Sequence, residues 1–283
     1  MGLTEPFSPV RRGDFLMLQC RALQPEVAAL YFTTRHGPQL SSPNLRLSGQ
    51  DPWEELLEAL GLPGSRLRRC RQVHGSVVWE ADRLLPGQLP PGDGLVTAGP
   101  QVLGAQFADC LAIWVLDTAA PALGLLHAGW RGLRAGIVAA GLKALDRVGS
   151  GDRGRVRAVL GPCIGPCCYE VGEEVAAWFH HRFPGAVIRR GHRRYLDLRE
   201  VARQQLAAEG VKGERVVSSQ LCTCCRSDLF HSHRRDGGRA GRMAAIGWLR
   251  EGRNRIPDRR SGDKTLAGPG PEGAQPDGEK TAF

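Results

Sequence analysis

Residues 103–129 read LGAQFADCLAIWVLDTAAPALGLLHAG and contain three apolar runs in close succession. Short breaks separate the runs, and the TAAP at 118–121 is predicted to turn the chain between the second and the third. Within each run the apolar residues are continuous instead of alternating with polar ones, which is typical of strands covered on both faces. From Arg131 onward, apolar residues recur every three or four positions, which predicts a helix with one buried face. The centre of the chain is therefore predicted to hold three buried strands followed by a helix.

Weaker patterns on both sides of this centre predict further strands and helices. The clearest is DPWEELLEALG (51–61), where Asp51 caps the first turn, Pro52 takes the first helical position and Gly61 ends the helix. Strands are predicted at 28–34, 155–162, 215–219 and 242–249. One further helix is predicted to begin at about Glu173, and another to end at about residue 209. The elements alternate irregularly, which favours an α+β or mixed α/β fold over a regular βαβ series.

Length and composition fit one large domain or two small ones, followed by a polar tail. The 283 residues, 42% of them hydrophobic, are enough to bury a large core. The sequence has no apolar run of membrane-spanning length, and its first residues lack the apolar core of a secretory signal, so we expect a soluble cytoplasmic protein. Residues 252–283 are rich in Gly, Pro and charge, which predicts a disordered tail over 252–283 after a folded region over 1–251.

The net charge of +9 first suggests nucleic acid as a partner. However, the arginines are scattered along the chain, and no helix-turn-helix, RRM or zinc-finger pattern accompanies them. The same charge would attract anionic small molecules equally well. We therefore expect a small-molecule substrate, and no nucleic acid or membrane as partner, while the oligomeric state is left open.

Three metal-competent side chains stand where apolar segments break: His74, Cys110 and His127. Two imidazoles and one thiolate would give a zinc ion three protein ligands and leave the fourth position for water or substrate, as in catalytic sites. Taken singly, however, each histidine is also compatible with an ordinary hydrogen-bonding role, and an intracellular cysteine often simply packs. Their spacing matches no local metal motif, so the residues alone leave these alternatives open.

Other polar segments carry further candidates for chemistry. Asp93 stands in a glycine turn, GDG at 92–94, where aspartate is also common for conformational reasons. The segments GPCIGPCCYEVG (161–172) and SHRRD (232–236) hold glycines and donors suited to an anionic ligand. Six of the nine cysteines cluster at 163/167/168 and 222/224/225. A closed structural zinc site is one interpretation of the clusters, but we favour small buried residues near a pocket.

Taken in order along the chain, these segments resemble one known family. The shared motifs are RQVHG (71–75), GDGLVT (92–97), ADC (108–110), HAGWRG (127–132), GPCIGPCCYEVG (161–172), LDL (196–198), CTC (222–224) and SHRRD…GRM (232–243), with weaker similarity at FTTR (32–35) and Asn44-Leu45. The chain resembles the YfiH/LACC1 family, long labelled multicopper polyphenol oxidases or laccase-domain proteins. The resemblance covers roughly residues 28–249. One departure is the Gly before Asp93, where Ala is common.

The resemblance implies a single α+β catalytic domain over residues 1–251, with mixed β-sheets layered with α-helices in a CNF1/YfiH-like fold. The same resemblance implies a mononuclear zinc site formed by His74, Cys110 and His127. It also implies purine nucleoside phosphorylase activity on adenosine, inosine and S-methyl-5'-thioadenosine, with adenosine deaminase activity. On this hypothesis Asp109 or Asp93 would move a proton in deamination. The candidates for phosphate binding are Arg131, Arg71 and Arg234, because guanidinium groups bind phosphate bidentately.

Three other enzymatic functions remain as alternatives. One is a metal-free hydrolase with Cys110 as nucleophile and His127 as base. Another is an amidase that edits peptidoglycan precursors, which is implied by some bacterial members. Copper in place of zinc is less favoured, and a polyphenol oxidase is least favoured because multicopper oxidation needs several linked copper sites. A binding protein with structural Cys/His clusters is the non-enzymatic alternative.

Overall fold

Two six-stranded mixed sheets form most of the β-structure in a computed structural model, which describes residues 5–37, 40 and 51–250. The strands in this part of the chain are β1 (Phe7–Arg12), β2 (Phe15–Cys20), β3 (Ala28–Thr33), β4 (Leu67–Arg68), β5 (Val78–Glu80), β6 (Gly94–Thr97), β7 (Val102–Phe107), β8 (Leu111–Asp117), β9 (Ala122–Ala128), β10 (Val156–Leu160), β11 (Val187–Arg190), β12 (Arg193–Leu196), β13 (Val216–Ser218) and β14 (Met243–Leu249). The α-helices are α1 (Pro52–Ala59), α2 (Trp130–Arg134), α3 (Ile137–Val148), α4 (Glu173–Arg182), α5 (Leu198–Ala208) and α6 (His233–Asp236).

Sheet topology confirms the α+β fold with mixed sheets. The first sheet has the order β1-β2-β3-β14-β7-β4 and the second the order β13-β10-β8-β9-β6-β5, while β11 and β12 form a separate ribbon. Most neighbours are antiparallel, but β4 and β7, β5 and β6, and β10 and β13 pair in parallel. The strands predicted at 28–34, 155–162, 215–219 and 242–249 all lie in these sheets.

The elements form four layers: the two sheets pack face to face, and helices cover the outer face of each sheet. On β8, Ile113 and Val115 pack with α3 and α5, whereas Trp114 packs with Phe32 and other residues of the first sheet. The outer face of the first sheet packs against α1 through side chains such as Trp53. Every residue of β8 and β9 is buried, which confirms the expectation drawn from their continuous apolarity.

The structure corrects the single helix predicted from Arg131. Two helices occupy this stretch, and they are separated at Gly136, whose φ of 83° lies in the left-handed region. Because that conformation suits glycine and cannot continue an α-helix, the chain turns between α2 and α3. The β1–β2 hairpin is an element that the sequence patterns did not reveal, since β1 is largely exposed and contains a proline and two arginines.

The break between the first two central runs moves the chain from one sheet to the other. β7 pairs with β14 in the first sheet, whereas β8 pairs with β9 in the second. Asp109 makes this junction with a φ of 90°, a conformation that non-glycine residues rarely adopt. The junction leaves Cys110 between the end of β7 and the start of β8, beside the end of β9.

Some expectations fall on parts of the chain that lie outside the described residues. They are the Asn44-Leu45 similarity and the predicted tail at 252–283. Among the described residues, the helices are all too short or too polar to cross a bilayer.

Candidate active site

The structure brings together His74, Cys110 and His127, which stand at three points where an apolar segment ends. Their ligand atoms, the ring nitrogens and the sulfur, all lie within 4.8 Å of one another. His74 is in the loop between β4 and β5, Cys110 follows the junction at Asp109, and His127 is near the end of β9. Antiparallel pairing of β8 with β9 sets Leu111 opposite Ala128, so that the neighbouring Cys110 comes close to His127. The sequence prediction that these residues share one site is thus compatible with the geometry.

The Asp93 carboxylate supports two of these residues from behind. Its Oδ1 atom lies 2.8 Å from His127 Nδ1 and accepts a hydrogen bond from the backbone N–H of His74 at 2.9 Å. Its Oδ2 atom accepts backbone hydrogen bonds from Gly75 at 2.7 Å and from Val73 at 3.2 Å. Asp93 therefore shapes the His74 loop, where His74 has a φ of 61°, and orients the His127 ring.

Gly129 leaves room for the three side chains. A Cβ atom at this position would stand 2.8 Å from the Cys110 sulfur and 3.5 Å from His74 Cδ2. Real Cβ atoms essentially never approach another atom that closely, so a larger residue would displace the sulfur. Gly129 of HAGWRG is therefore required for the Cys110 and His74 side chains to pack beside it.

Electrostatics favours the thiolate form of Cys110. Burial alone raises the pKa of this thiol, but the adjacent His127 and His74 rings offset that effect and lower the pKa to about 6. For His127, burial lowers the pKa, whereas Cys110 and Asp93 raise it to about 9. Burial likewise opposes ionisation of Asp93, but His127 and the backbone N–H groups hold the pKa of that carboxyl below its usual range. Cys110 is therefore a thiolate at neutral pH.

The donor set and its surroundings fit a bound metal ion. Two imidazoles and a thiolate suit zinc, and three protein ligands leave a coordination position open. The contact between His127 and Asp93 is the carboxylate–histidine arrangement that commonly orients metal-binding histidines. The same donors also suit a single copper ion.

The group lies in a pocket of about 740 Å³ with a strongly basic lining. That volume is within the range of small-molecule sites. The lining residues with charged, titratable or aromatic side chains are Arg69, Cys70, Arg71, His74, Asp109, Cys110, His127, Trp130, Arg131, Tyr169, His233, Arg234 and Arg242. Five arginines against one carboxylate make the pocket attractive to an anion.

All three arginines predicted to bind phosphate line this pocket. Arg131 is exposed and its guanidinium lies 4.5 Å from the centre of the Trp130 ring. The side chains of Arg71 and Arg131 make no ion pair within the described part of the chain, so both are free to bind a ligand. Arg234 donates to the carbonyl oxygens of Glu170 at 2.8 Å and Cys168 at 3.4 Å, which leaves part of its guanidinium available.

Asp109 lines the pocket, yet its oxygens are occupied. Oδ1 accepts a hydrogen bond from the Thr223 hydroxyl at 2.6 Å, and Oδ2 accepts from the Ser232 hydroxyl at 3.0 Å and from the backbone N–H of Arg234 at 2.7 Å. The residue is buried, and these contacts connect the Cys110 junction to the loop after β13 and to the start of α6. This arrangement favours a positioning role for Asp109.

Sequence reasoning missed Arg69 and Tyr169 as parts of the pocket. Arg69 stacks on Trp53, with its guanidinium 4.7 Å from the ring centre, and the Arg234 guanidinium lies 5.2 Å from the Tyr169 ring. Tyr169 is the YE tyrosine of GPCIGPCCYEVG, so the glycine-rich segment did signal a ligand-binding loop without specifying this side chain. Arg69 had no signal beyond its position two residues before RQVHG.

The cysteine clusters fulfil the expectation of small buried residues only in part. Cys163 and Cys222 are buried, but Cys167 and Cys225 are exposed. Burial therefore does not explain why cysteine occupies the two exposed positions.

Comparison with known proteins assigns the chain to a family. Residues 32–250 match the family described as multi-copper polyphenol oxidoreductase laccase. The chain belongs to this laccase-domain family. A relative named purine nucleoside phosphorylase YlmD, from Geobacillus stearothermophilus, is 35% identical over 83% of this chain and 94% of its own length. A relative named adenosine deaminase RL5, from an unknown prokaryotic organism, is 36% identical over 50% of this chain and 55% of its own length.

Solved structures of laccase-domain proteins share the fold as well. The crystal structure of YlmD from Geobacillus stearothermophilus superposes with a TM-score of 0.77 at 31% sequence identity, covering 87% of this chain and all of that one. The α+β single-domain architecture expected from the sequence is therefore confirmed.

Proposed function

We propose that this laccase-domain chain is a zinc-dependent purine nucleoside phosphorylase that also deaminates adenosine. One observation carries the proposal: an arginine-rich pocket holds the His74, Cys110 and His127 group, in a chain 35% identical to a relative named purine nucleoside phosphorylase. The substrates would be adenosine, inosine or S-methyl-5'-thioadenosine, together with phosphate. The adenosine deaminase name of a second relative supports the additional activity.

In this proposal His74, Cys110 and His127 hold the metal. A bound zinc ion supplies a Lewis acid to this wall of the pocket. Asp93 holds a proton on His127 Nδ1, so that Nε2 would be the ligand atom once it gives up the proton that the raised pKa of about 9 keeps there in the metal-free chain. Cys110 contributes a thiolate, consistent with its lowered pKa of about 6.

The arginines bind and orient phosphate. Phosphorolysis brings phosphate to C1′ of the ribose while negative charge develops on the departing purine. Arg71 and Arg131, whose guanidinium groups have no competing ion pair in the described part of the chain, donate to the phosphate oxygens, and Arg234 supports them. Trp130 and Tyr169 present aromatic surface beside these arginines, and a purine ring stacks well on such a surface.

Proton transfer requires a titratable group that faces the ligand. Asp109 is the carboxylate on the pocket wall, whereas Asp93 lies behind His127. Since protein donors occupy the oxygens of both, we assign Asp93 and Asp109 positioning roles within the proposal. His233 is exposed on the same wall, so its imidazole is the group we assign to protonate the departing base.

The Cys110–His127–Asp93 alignment also supports a second candidate function, a metal-free cysteine hydrolase. A thiolate beside an imidazole that is oriented by a carboxylate is the arrangement of a cysteine nucleophile. His74 favours the metal site over this candidate, because a third ligand atom converges on the same point and a hydrolase needs only two. If the purified chain holds no metal and alkylation of Cys110 alone abolishes activity, the hydrolase is the correct function.

Product analysis tests the proposal most directly. Adenosine and inosine are incubated with the chain, with and without phosphate, and the products are identified. We expect free base and ribose-1-phosphate when phosphate is present, and inosine from adenosine without it. His127→Ala should lose the metal and both activities, and full activity in this variant would refute the proposal. Release of the amino acid from a UDP-muramyl-serine substrate, with no reaction on nucleosides, would instead identify the peptidoglycan-editing amidase.

Metal analysis separates the zinc and copper alternatives. The zinc proposal predicts a colourless chain whose activity returns when zinc is added after chelation. Intense blue absorption, with several copper ions per chain and oxidation of phenols, would overturn it.

A further inference from the structure

Four cysteine sulfurs converge at a second place, outside the His74, Cys110 and His127 group. Cys167 and Cys168 lie in the loop after β10, and Cys222 and Cys225 lie in the loop after β13. All four sulfur atoms are within 4.8 Å of one another. The Cys225 sulfur is 3.4 Å from that of Cys167 and 3.3 Å from that of Cys168.

These distances fit a shared metal ion better than disulfide bonds. A disulfide joins its sulfurs at about 2.05 Å, which is far shorter than the observed separations. Zinc in a structural site lies about 2.3 Å from each of four sulfurs, so tetrahedral ligands stand roughly 3.8 Å apart. The four thiols therefore need only small side-chain adjustments to surround an ion.

The backbone holds the two cysteine loops together independently of any ion. Thr223 N–H donates to the Cys163 carbonyl at 3.1 Å, and the Gly165 N–H donates to the Cys222 sulfur at 3.2 Å. At Gly165 a Cβ atom would lie 3.2 Å from the Cys167 sulfur, so this glycine keeps the space between the loops open. A backbone N–H directed at a sulfur is a common support for a metal-bound thiolate.

The surrounding charge is also favourable for a thiolate cluster. A zinc ion with four thiolates has a net charge of about −2 and requires positive neighbours. Three guanidinium groups donate to backbone carbonyls of the loop that carries Cys167 and Cys168: Arg199 to Cys163 at 3.2 Å, Arg234 to Cys168 at 3.4 Å and Arg190 to Cys167 at 3.5 Å.

We propose that Cys167, Cys168, Cys222 and Cys225 bind a second, structural zinc ion. Each thiol releases its proton to solvent when zinc binds, and no electron is transferred. Four protein ligands close the tetrahedron, so this ion has no open position for substrate and does not take part in the reaction. The Cys-x-x-Cys pair at 222 and 225 supplies one half of the site, and the adjacent pair at 167 and 168 supplies the other.

The second site braces one wall of the pocket. Tyr169 follows Cys168 directly, and Arg234 binds the Cys168 carbonyl. On the other loop, Thr223 lies next to Cys222 and donates to Asp109, the neighbour of Cys110. Loss of the second ion is thus expected to lower thermal stability and to weaken substrate binding, while the first metal is retained.

Zinc content of the purified full-length chain tests the proposal. We expect two zinc ions per chain, falling to one in Cys225→Ser and to one in His127→Ala. Cys224→Ser is the matched control, because Cys224 adjoins Cys225 but its sulfur is outside the four-sulfur group, and it should retain both ions. A cobalt-loaded His127→Ala chain should show the intense thiolate-to-metal absorption of a tetrahedral sulfur site.

A titration of the unaltered chain avoids dependence on the folding of any variant. An organomercurial reagent is added stepwise while a coloured chelator reports released zinc, and we expect two ions to be released, one as the four thiols of this cluster react and the other as Cys110 reacts. A chain with a single zinc that disappears in His127→Ala and stays in Cys225→Ser would refute the second site and leave the proposed function intact. Disulfides among the four cysteines in the freshly purified chain, with no second metal, would also refute it.

Discussion

Asp93 Oδ1 lies 2.8 Å from His127 Nδ1, and the two side chains are 0% and 5% exposed. The carboxylate fixes the tautomer of the imidazole and directs Nε2 towards the Cys110 side of the pocket. The same carboxylate receives three backbone N–H groups from the loop that carries His74. A single buried aspartate therefore sets the positions of two of the three proposed ligands.

Asp93→Asn should weaken zinc binding without removing a ligand. The amide lacks the negative charge that stabilises the His127 N–H and cannot accept all of the backbone hydrogen bonds. We expect zinc affinity to fall by about 10- to 100-fold, the usual effect of altering a residue that supports a metal ligand. Competition with a chelator of known affinity measures the change.

Asp117→Asn is the matched control for that substitution. Asp117 is also a buried carboxylate that accepts several hydrogen bonds, among them those of Ser150 and Ala119, but it lies at the opposite end of β8. The control variant should lose stability and keep its zinc affinity. Equal loss of affinity in both variants would show that Asp93 acts only through general stability.

Gly129→Ala should disrupt the site through a steric clash. The new methyl group would stand 2.8 Å from the Cys110 sulfur, so we expect zinc affinity to fall by at least about tenfold. Gly172→Ala is the control, because Gly172 also precedes a helix with extended backbone but has open space around it. Both variants share the cost of alanine at a helix N-cap, about 0.5–1 kcal/mol, so a difference in zinc content reports the clash alone. Identical zinc content would contradict the packing argument.

Much of the fold could be predicted from continuous apolar runs and from clear helix-start signals. β8 and β9 are apolar along their whole length, and Asp51 and Pro52 begin α1 at the expected residues. The assignment of strands to two sheets could not be predicted, because the change of sheet at Asp109 depends on a single residue with positive φ. The break after α2 has the same cause at Gly136.

The candidate site was predictable where a residue stands at a visible break in the pattern. His74, Cys110 and His127 each end or interrupt an apolar segment, and the structure brings them together. The contact between Asp93 and His127 was not predictable, because it joins residues 34 positions apart. Tyr169 and Arg69 depend on long-range packing in the same way and have no local pattern of their own.

Cys110 should react as a thiolate in the zinc-free chain. Its pKa of about 6 lies below the ordinary 9.0 of a cysteine, so the thiolate persists as the pH falls until about 6 and is protonated below that value. We expect the rate of iodoacetamide alkylation at Cys110 to be constant above about pH 7 and to fall as the pH drops through 6. Mass spectrometry of the peptide that contains Cys110 measures the rate, and bound zinc should protect the residue.

Cys70 provides an internal control in the same experiment. It lines the same pocket, but burial and the charge of Asp93 raise its pKa to about 12, so it should remain unreactive across this pH range. In Asp93→Asn the support for the His127 charge is lost, and the midpoint of Cys110 alkylation should move to higher pH. An unchanged midpoint would mean that His127 does not stabilise the Cys110 thiolate.

Arg131→Gln should impair the use of phosphate more than the use of nucleoside. The Arg131 guanidinium is exposed in the pocket, held over the Trp130 ring, and has no ion pair in the described part of the chain. Charged hydrogen bonds contribute about 1.5–3 kcal/mol, so we expect the KM for phosphate to rise by about 10- to 100-fold in phosphorolysis of inosine. The KM for inosine should change much less, and adenosine deamination without phosphate should be preserved.

Arg134→Gln is the control because it removes a positive charge from the same short helix. Arg134 is outside the pocket, its guanidinium lies 3.6 Å from Glu174, and it stacks near Trp178, so its loss should leave the KM for phosphate unchanged. Equal effects in the two variants would indicate that the general positive field attracts phosphate. A larger effect on deamination than on phosphorolysis would place Arg131 at the nucleoside instead. A selective rise in the KM for phosphate in Arg131→Gln requires direct contact, because a guanidinium a few residues away would contribute almost the same long-range field.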